Sequence, residues 1–299
     1  TKPGQLQSTR KLRRVTEKLC GTSFSKDQVS RMTQALDEEL ALWRRRPLTK
    51  RYPYLVIDAR YEHVREDGQV ENDAVLHVMG IDEEGYRDML SVGVAPGEEE
   101  ESWGEVLRDL LDRGLDAEAV RCVVSDEHRG LGAAVQRYLP RAMCQRCQAH
   151  YQRNAGTKVP RKARAEVHAR LRDVFEAPDF DEAWGRVLKL AKEWEGRFPE
   201  FIEWMLETIE ESLTVFHLPG GRRRRLRTTN GLERYGQEFK RRSRVIRIFP
   251  NRASCLRLAT ALGMEQSEEW LTGYRYLDMS VSEQGTRQEH ARELEEVVV

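Results

Sequence analysis

Tyr54-Leu55-Val56-Ile57-Asp58 is the stretch on which the fold turns. Four apolar side chains in a row, without alternation, suit a strand covered on both faces, inside a sheet flanked by helices. The run stops on an acid. Downstream, Ala74 to Ile81 and Met89 to Val94 read as two more strands, set apart by the turn pairs Asp67-Gly68 and Glu84-Gly85. Ser102 then caps an amphipathic helix (Trp103, Val106, Leu107, Leu110, Leu111) that stops at Gly114. Val120 to Val124 is a second buried run leading to an acid, Asp126. A short helix, Leu131 to Leu139, and a fifth strand, Ala142 to Cys147, complete the order β-β-β-α-β-α-β. That order predicts an α/β fold, a mixed sheet with acids at the ends of its first and fourth strands.

Outside this block the period changes. Residues 148–216 are helical in pattern, with Val167, Leu171, Val174 and Phe175, then Trp184, Leu188 and Ala191, then Phe201, Trp204 and Met205 at helical spacing. They read as an all-α insertion. Upstream, residues 8–44 read as two helices, one over Ser8 to Leu19 and one capped by Ser25 and running through Val29, Met32, Leu36, Leu40 and Trp43. A Gly-containing turn between them matches the outline of a helix-turn-helix, and equally of any αα-hairpin. The expected divisions are 1–48 (helical DNA-binding segment), 52–147 with 228–265 (sheet domain), 148–227 (insertion) and 266–299 (polar, partly flexible tail).

The 299 residues carry a formal net charge of zero, which conceals a strong asymmetry. Residues 82–118 hold thirteen acids against three Arg, whereas 222–252 hold twelve Lys or Arg against two acids, Glu233 and Glu238. The basic block suits a phosphate backbone, although charge runs are more often only solvated faces. No apolar run approaches the roughly 20 residues needed to span a bilayer. Five cysteines (20, 122, 144, 147, 255), odd in number and not densely spaced, fit a reducing, cytoplasmic compartment. Cys144, Cys147 and His150 supply three zinc ligands where a structural site takes four.

Glu233 has two readings. It completes a capping box with Asn230, or it holds a metal in a basic field. Adjacent first and fourth strands would bring Asp58 and Asp126 together, and a helix on the same sheet would add Glu233. Three converging carboxylates need cations to stay ionised, and two-metal phosphoryl transfer uses such a site. Mg²⁺ is the expected ion, Mn²⁺ a substitute, and nucleic acid the substrate that the neighbouring arginines would hold.

The segments Tyr54–Tyr61 with Val64–Gly68, Val124-Ser125-Asp126-Glu127-His128-Arg129-Gly130-Leu131, Gln145–His150, and Arg227–Glu233 with Lys240-Arg241-Arg242 and Phe249-Pro250-Asn251 resemble Mutator-type bacterial insertion-sequence transposases. The resemblance runs from about Thr9 to Met279. It implies an RNase H-like, retroviral-integrase-like catalytic domain with a DDE triad, here Asp58, Asp126 and Glu233 as catalytic and metal-binding acids. It also implies Mg²⁺-dependent cleavage and strand transfer on double-stranded DNA, at terminal inverted repeats and a target. The family's Cys-x-x-His signature is matched by Cys147 and His150, and its insertion tryptophan by Trp204. Asp126 and Glu233 are 233 − 126 = 107 residues apart, consistent with that insertion.

DNA contacts are expected from Arg222, Arg223, Arg224, Arg225, Arg227, Asn230, Lys240, Arg241, Arg242 and Arg244, with His128 as an accessory group. Family members begin with a longer DNA-binding region, of which residues 8–44 resemble the last part. They act on paired ends, so a homodimer on DNA in the bacterial cytoplasm, associated with the nucleoid, is expected. Two departures are visible: Glu127 stands where Gly is usual, and Gly236 where Asn is frequent. The competing readings are a repurposed, non-catalytic DNA-binding protein and a nuclease without strand transfer.

Overall fold

The computed structural model describes residues 26–126 and 129–280, and the chain divides into two units between Arg46 and Pro47. The first unit contains helix α1, Lys26–Arg44, the second of the two expected helices. The other helix and the Ser25 cap lie outside the described residues. Met32 and Leu36, expected on its apolar face, are both exposed.

In the second unit β1 (Tyr54–Glu66), β2 (Gln69–Ile81) and β3 (Arg87–Ala95) form an antiparallel meander. Its first turn is Asp67-Gly68, both at positive φ (47° and 89°). Gly takes that conformation freely and Asp tolerates it, which matches a tight two-residue hairpin. β1 is much longer than its apolar run. Past Asp58 only one face is covered, with Glu62 and Val64 buried and Tyr61, His63 and Arg65 exposed. Helix α2 (Glu100–Asp112), β4 (Cys122–Ser125), α3 (Arg129–Tyr138) and β5 (Met143–Arg146) follow. Ser102 is not the cap of α2; Glu99 holds that position with no side-chain bond, so Ser102 sits within the first turn.

The sheet order is β3-β2-β1-β4-β5, with β4 parallel to both β1 and β5. Alternation along β1 and β2 sends Leu55, Ile57, Leu76 and Val78 to one face. There they pack with Trp103, Leu107 and Leu110 of α2 and Leu131 and Val135 of α3. Each such buried side chain stabilises by about 1.5–3 kcal/mol.

Residues 148–226 contain only helices and 3-10 turns: α4 (Gln148–Thr157), α5 (Arg164–Phe175), α6 (Phe180–Trp194), α7 (Pro199–Thr208), α8 (Glu210–Leu213) and α9 (Gly220–Leu226). They enclose a core of their own that includes Val167, Leu171, Val187, Leu190, Phe201 and Met205. Leu188, expected inside, is half exposed; α6 buries Ala183, Val187, Leu190 and Trp194 instead. Buried Gln145 on β5 ties this core to the sheet. Its Nε2 donates to the Ser212 carbonyl (3.0 Å) and its Oε1 accepts from Val215 N–H (2.6 Å).

The other sheet face is covered by α10 (Glu233–Ile246) and α11 (Arg252–Thr272). Tyr235 meets His77 edge-on at 4.8 Å, and Ser243 Oγ donates to Glu62 (3.0 Å). α11 runs well past the expected start of the tail at 266. The chain beyond it is held too, with Tyr276 and Leu277 N–H donating to the Gly85 carbonyl (2.8 and 3.2 Å).

Candidate active site

The last matched pair between β1 and β4 is Val56↔Val124. Asp58 and Asp126 each follow two residues later. Parity carried past that pair puts both on the same face of the sheet, at the same level, just beyond the paired part of the two strands. Asp58 lies opposite His77 of β2, on the face that α10 and α11 cover. Its carboxyl is pushed up to about 6, first by burial, then by Asp126 and Glu98, with His150 and the Ala59 N–H opposing. Two carboxylates here cannot both ionise cheaply without a cation.

His150, on α4, brings its Nδ1 to 3.6 Å from Asp126 Oδ2, an ion-pair distance and too long for a hydrogen bond. Cys147 is buried at the step from β5 into α4, where its Sγ accepts from Thr229 N–H (3.4 Å). Burial raises the thiol, but the hydrogen bond and charge of His150 outweigh it and leave the thiol below its ordinary range. His150 is raised in turn, first by that bond. The pair thus links the sheet, the insertion and the turn before Glu233. Cys144 is exposed and does not join it.

Glu233 is placed differently. It opens α10 on the face that Asp58 shares, but its side chain is exposed and accepts from Gln237 Nε2 (2.8 Å). The capping box with Asn230 does not form. Thr228 instead caps the preceding 3-10 turn, Thr229–Leu232, accepting from Asn230 N–H at 3.4 Å. Among the described residues no group of three or more His, Cys, Asp or Glu side chains is close enough to hold a metal ion. The structure brings Asp58 and Asp126 together, and does not bring Glu233 to them. The aspartate pair still fits a hard divalent cation in donor chemistry, since its mutual repulsion is what such an ion relieves.

The basic residues separate into two kinds. Arg222 is buried, donating to Tyr54 OH (2.8 Å) and to the Met279 carbonyl, so its guanidinium is spent inside the protein, not on a phosphate. Arg223 is half-buried over the Phe216 ring and donates to the Pro178 carbonyl (2.7 Å). Arg224 and Arg225 are exposed, and Arg227 is half-buried. On α10, Arg241 and Arg242 pair with Glu238, whereas exposed Lys240 and Arg244 have no carboxylate partner among the described residues. Trp204 stacks on Tyr151 (4.7 Å) against the insertion core, with the Arg146 guanidinium at 5.6 Å. His128 and Glu127 lie outside the described residues.

Two contributors were not anticipated. Glu98 belongs to the acidic run before α2, and it raises Asp58 electrostatically. Gly130 brings it there. A Cβ on Gly130 would come within 2.5–2.7 Å of the backbone of residues 98–100, so only Gly lets α3 start against that loop. The signal was present in the acid count over 82–118 and in the glycine four residues after Asp126, but their meeting depends on the fold.

Comparison with known proteins converges on one group. The family model "Transposase, Mutator family" matches residues 6–273. The chain is 43% identical over 272 residues to the transposase for insertion sequence element ISRM5 of Rhizobium meliloti, spanning 91% of this chain and 68% of that protein. It is 47% identical over 277 residues to the transposase for IS406 of Burkholderia multivorans, spanning 91% and 70%. With the transposase for IS256 in transposon Tn4001 of Staphylococcus aureus it shares 33% identity over 271 residues, 90% of this chain and 69% of that one.

Proposed function

The chain belongs to the Mutator family of transposases, and from that premise we propose that it is a DDE-type DNA transposase with Asp58, Asp126 and Glu233 as its acids. The observation that carries the reading is the approach of Asp58 and Asp126, each two residues past the last matched pair of parallel β1 and β4, on the sheet face covered by the helix that Glu233 opens. The strand order, an antiparallel meander extended by two parallel strands, supports an RNase H-like domain. Mg²⁺ held by these carboxylates would supply Lewis-acid activation at the scissile phosphate. Asp58 and Asp126 would provide the ligands from the sheet. Glu233, on the exposed first turn of α10, would supply the third carboxylate ligand. Cys147 and His150 brace the junction that sets Asp126 against Asp58. Exposed Arg224, Arg225, Lys240 and Arg244 hold the DNA backbone, and the protein works as a homodimer on paired inverted repeats.

The exposed placement of Glu233 and its bond to Gln237 favour a second reading, a DNA-binding protein without catalysis. One experiment separates them. The purified protein is incubated with Mg²⁺ or Mn²⁺ and a plasmid carrying the DNA that flanks its reading frame. Cleaved ends and joined products, both lost in D58N, D126N and E233Q, are expected. Nicks without joining would make it a nuclease, and binding without any metal-dependent break would leave the second reading.

A further inference from the structure

The insertion carries a concavity between α4 and α5 that the acid site does not use. Gln152, Arg153, Gly156 and Thr157 of α4 and Arg164 and His168 of α5 line it. Gly156 lets α5 pack closely against α4. A Cβ there would stand 2.9 Å from His168 Nε2 and 3.8 Å from Arg164 Cγ. The charge around it is of one sign. Residues 153–165 include Arg153, Lys158, Arg161, Lys162 and Arg164 and no acid. The first acid beyond them, Glu166, is already paired with Arg197 (2.9 Å). Arg153 and Arg164 are exposed, and neither has a carboxylate partner among the described residues. His168 Nε2 is buried without a hydrogen-bond partner. Guanidinium groups left unpaired beside a small concavity, with the Gln152 amide at its rim, suit a phosphodiester, which takes two forked donors and tolerates any base.

The position adds a direction. α4 is the helix that sets His150 beside Asp126. Arg153 lies three residues further on and Thr157 seven, about 4.5 and 10.5 Å along the helix axis at 1.5 Å per residue. A strand seated at the aspartate pair and running along α4 reaches the concavity within a few nucleotides.

We propose that this concavity binds a backbone phosphate of the DNA strand that passes through the Asp58–Asp126 site, with Arg153 and Arg164 as its principal ligands. The inference rests on the transposase reading and adds the insertion to the DNA-binding surface.

The test is the salt dependence of binding to a fluorescein-labelled 30-base-pair duplex, measured by anisotropy for the whole chain, for R153Q/R164Q and for R153E/R164E. Each lost phosphate contact lowers the slope of log K against log salt by about 0.9. Both guanidinium groups hold the same phosphate, so the glutamine pair is expected to lower it by about 0.9. The affinity ratio between 50 and 200 mM salt then shrinks about 3.5-fold, since four raised to the power 0.9 is about 3.5. The glutamate pair is expected to weaken binding further, with an unchanged thermal melt showing that both variants fold. A control pair on α6, K189Q/K192Q, is expected to leave the slope unchanged. An unchanged slope in R153Q/R164Q while the wild type binds overturns the concavity alone. An equal fall in the control overturns it too, since the effect is then net charge. A wild type that binds no DNA overturns this inference and the transposase reading together.

Discussion

Asp58→Asn is the substitution whose consequence follows most directly from the site. In the folded, metal-free protein the Asp58 carboxyl lies at about 6 against a reference of 3.8, because burial, Asp126 and Glu98 all disfavour its charge. The difference of about 2.2 units corresponds to about 3 kcal/mol at 1.36 kcal/mol per unit. The sign is a penalty. Below pH 4 the group is protonated in folded and unfolded chains alike, and costs nothing. Between 4 and 6 the unfolded chain ionises first, so stability falls as pH rises, and above 6 the full cost is present. Asn removes the charge at nearly constant volume. In EDTA at pH 8, D58N should melt above wild type by roughly 5–10 °C, taking about 2–4 °C per kcal/mol for a chain of this size and allowing for residual solvent access. At pH 4 the two should coincide. Differential scanning fluorimetry at both pH values measures the gap, and taking the difference removes the separate acid sensitivity of His77. Adding Mg²⁺ should raise the wild type and leave D58N unmoved. A D58N that melts at or below wild type in EDTA at pH 8 would refute the claim that burial, with Asp126 beside it, opposes the charge on Asp58.

Two further outcomes test the scaffold. His77 is pushed down to about 3, first by burial and then by Arg60, and neither ring nitrogen has a hydrogen-bond partner. Its folded value lies below the unfolded 6.5, so stability is complete above 6.5 and is lost as pH falls toward 3; H77F, packed against Tyr235 and Phe239, should resist acid unfolding, and a curve that superposes on wild type between pH 6.5 and 4 would remove His77 from the acid response. Gly85→Ala meets a positive φ of 89° and drives a Cβ at the Leu277 carbonyl. Strain of about 1–2 kcal/mol and two lost hydrogen bonds of about 1 kcal/mol each should free residues 273–280 and speed tryptic cutting at Arg275, whereas unchanged cutting would mean that the segment is held elsewhere.

By itself the sequence determined the element order, because that order is written in local patterns. The apolar runs at 54–57 and 120–124, the turn pairs at 67–68 and 84–85, and the switch to helical period after Cys147 each need only neighbouring residues to be read. The aspartate pair was legible for the same reason, since the first and fourth strands of this order lie side by side and each apolar run leads into its acid. Sequence could not reveal which charges face inward. Arg222 and Arg224 sit in one run of arginines, yet one is buried on Tyr54 and the other exposed, because a seven-residue helix packs one side only. Nor did the pattern show that β1 continues to Glu66, since its outer half is covered on a single face. Glu98 reaches Asp58 only because Gly130 admits its backbone, and Glu233 bonds Gln237 because a 3-10 turn, not a cap, leads into its helix. Such contacts join residues distant in the chain, and packing decides them.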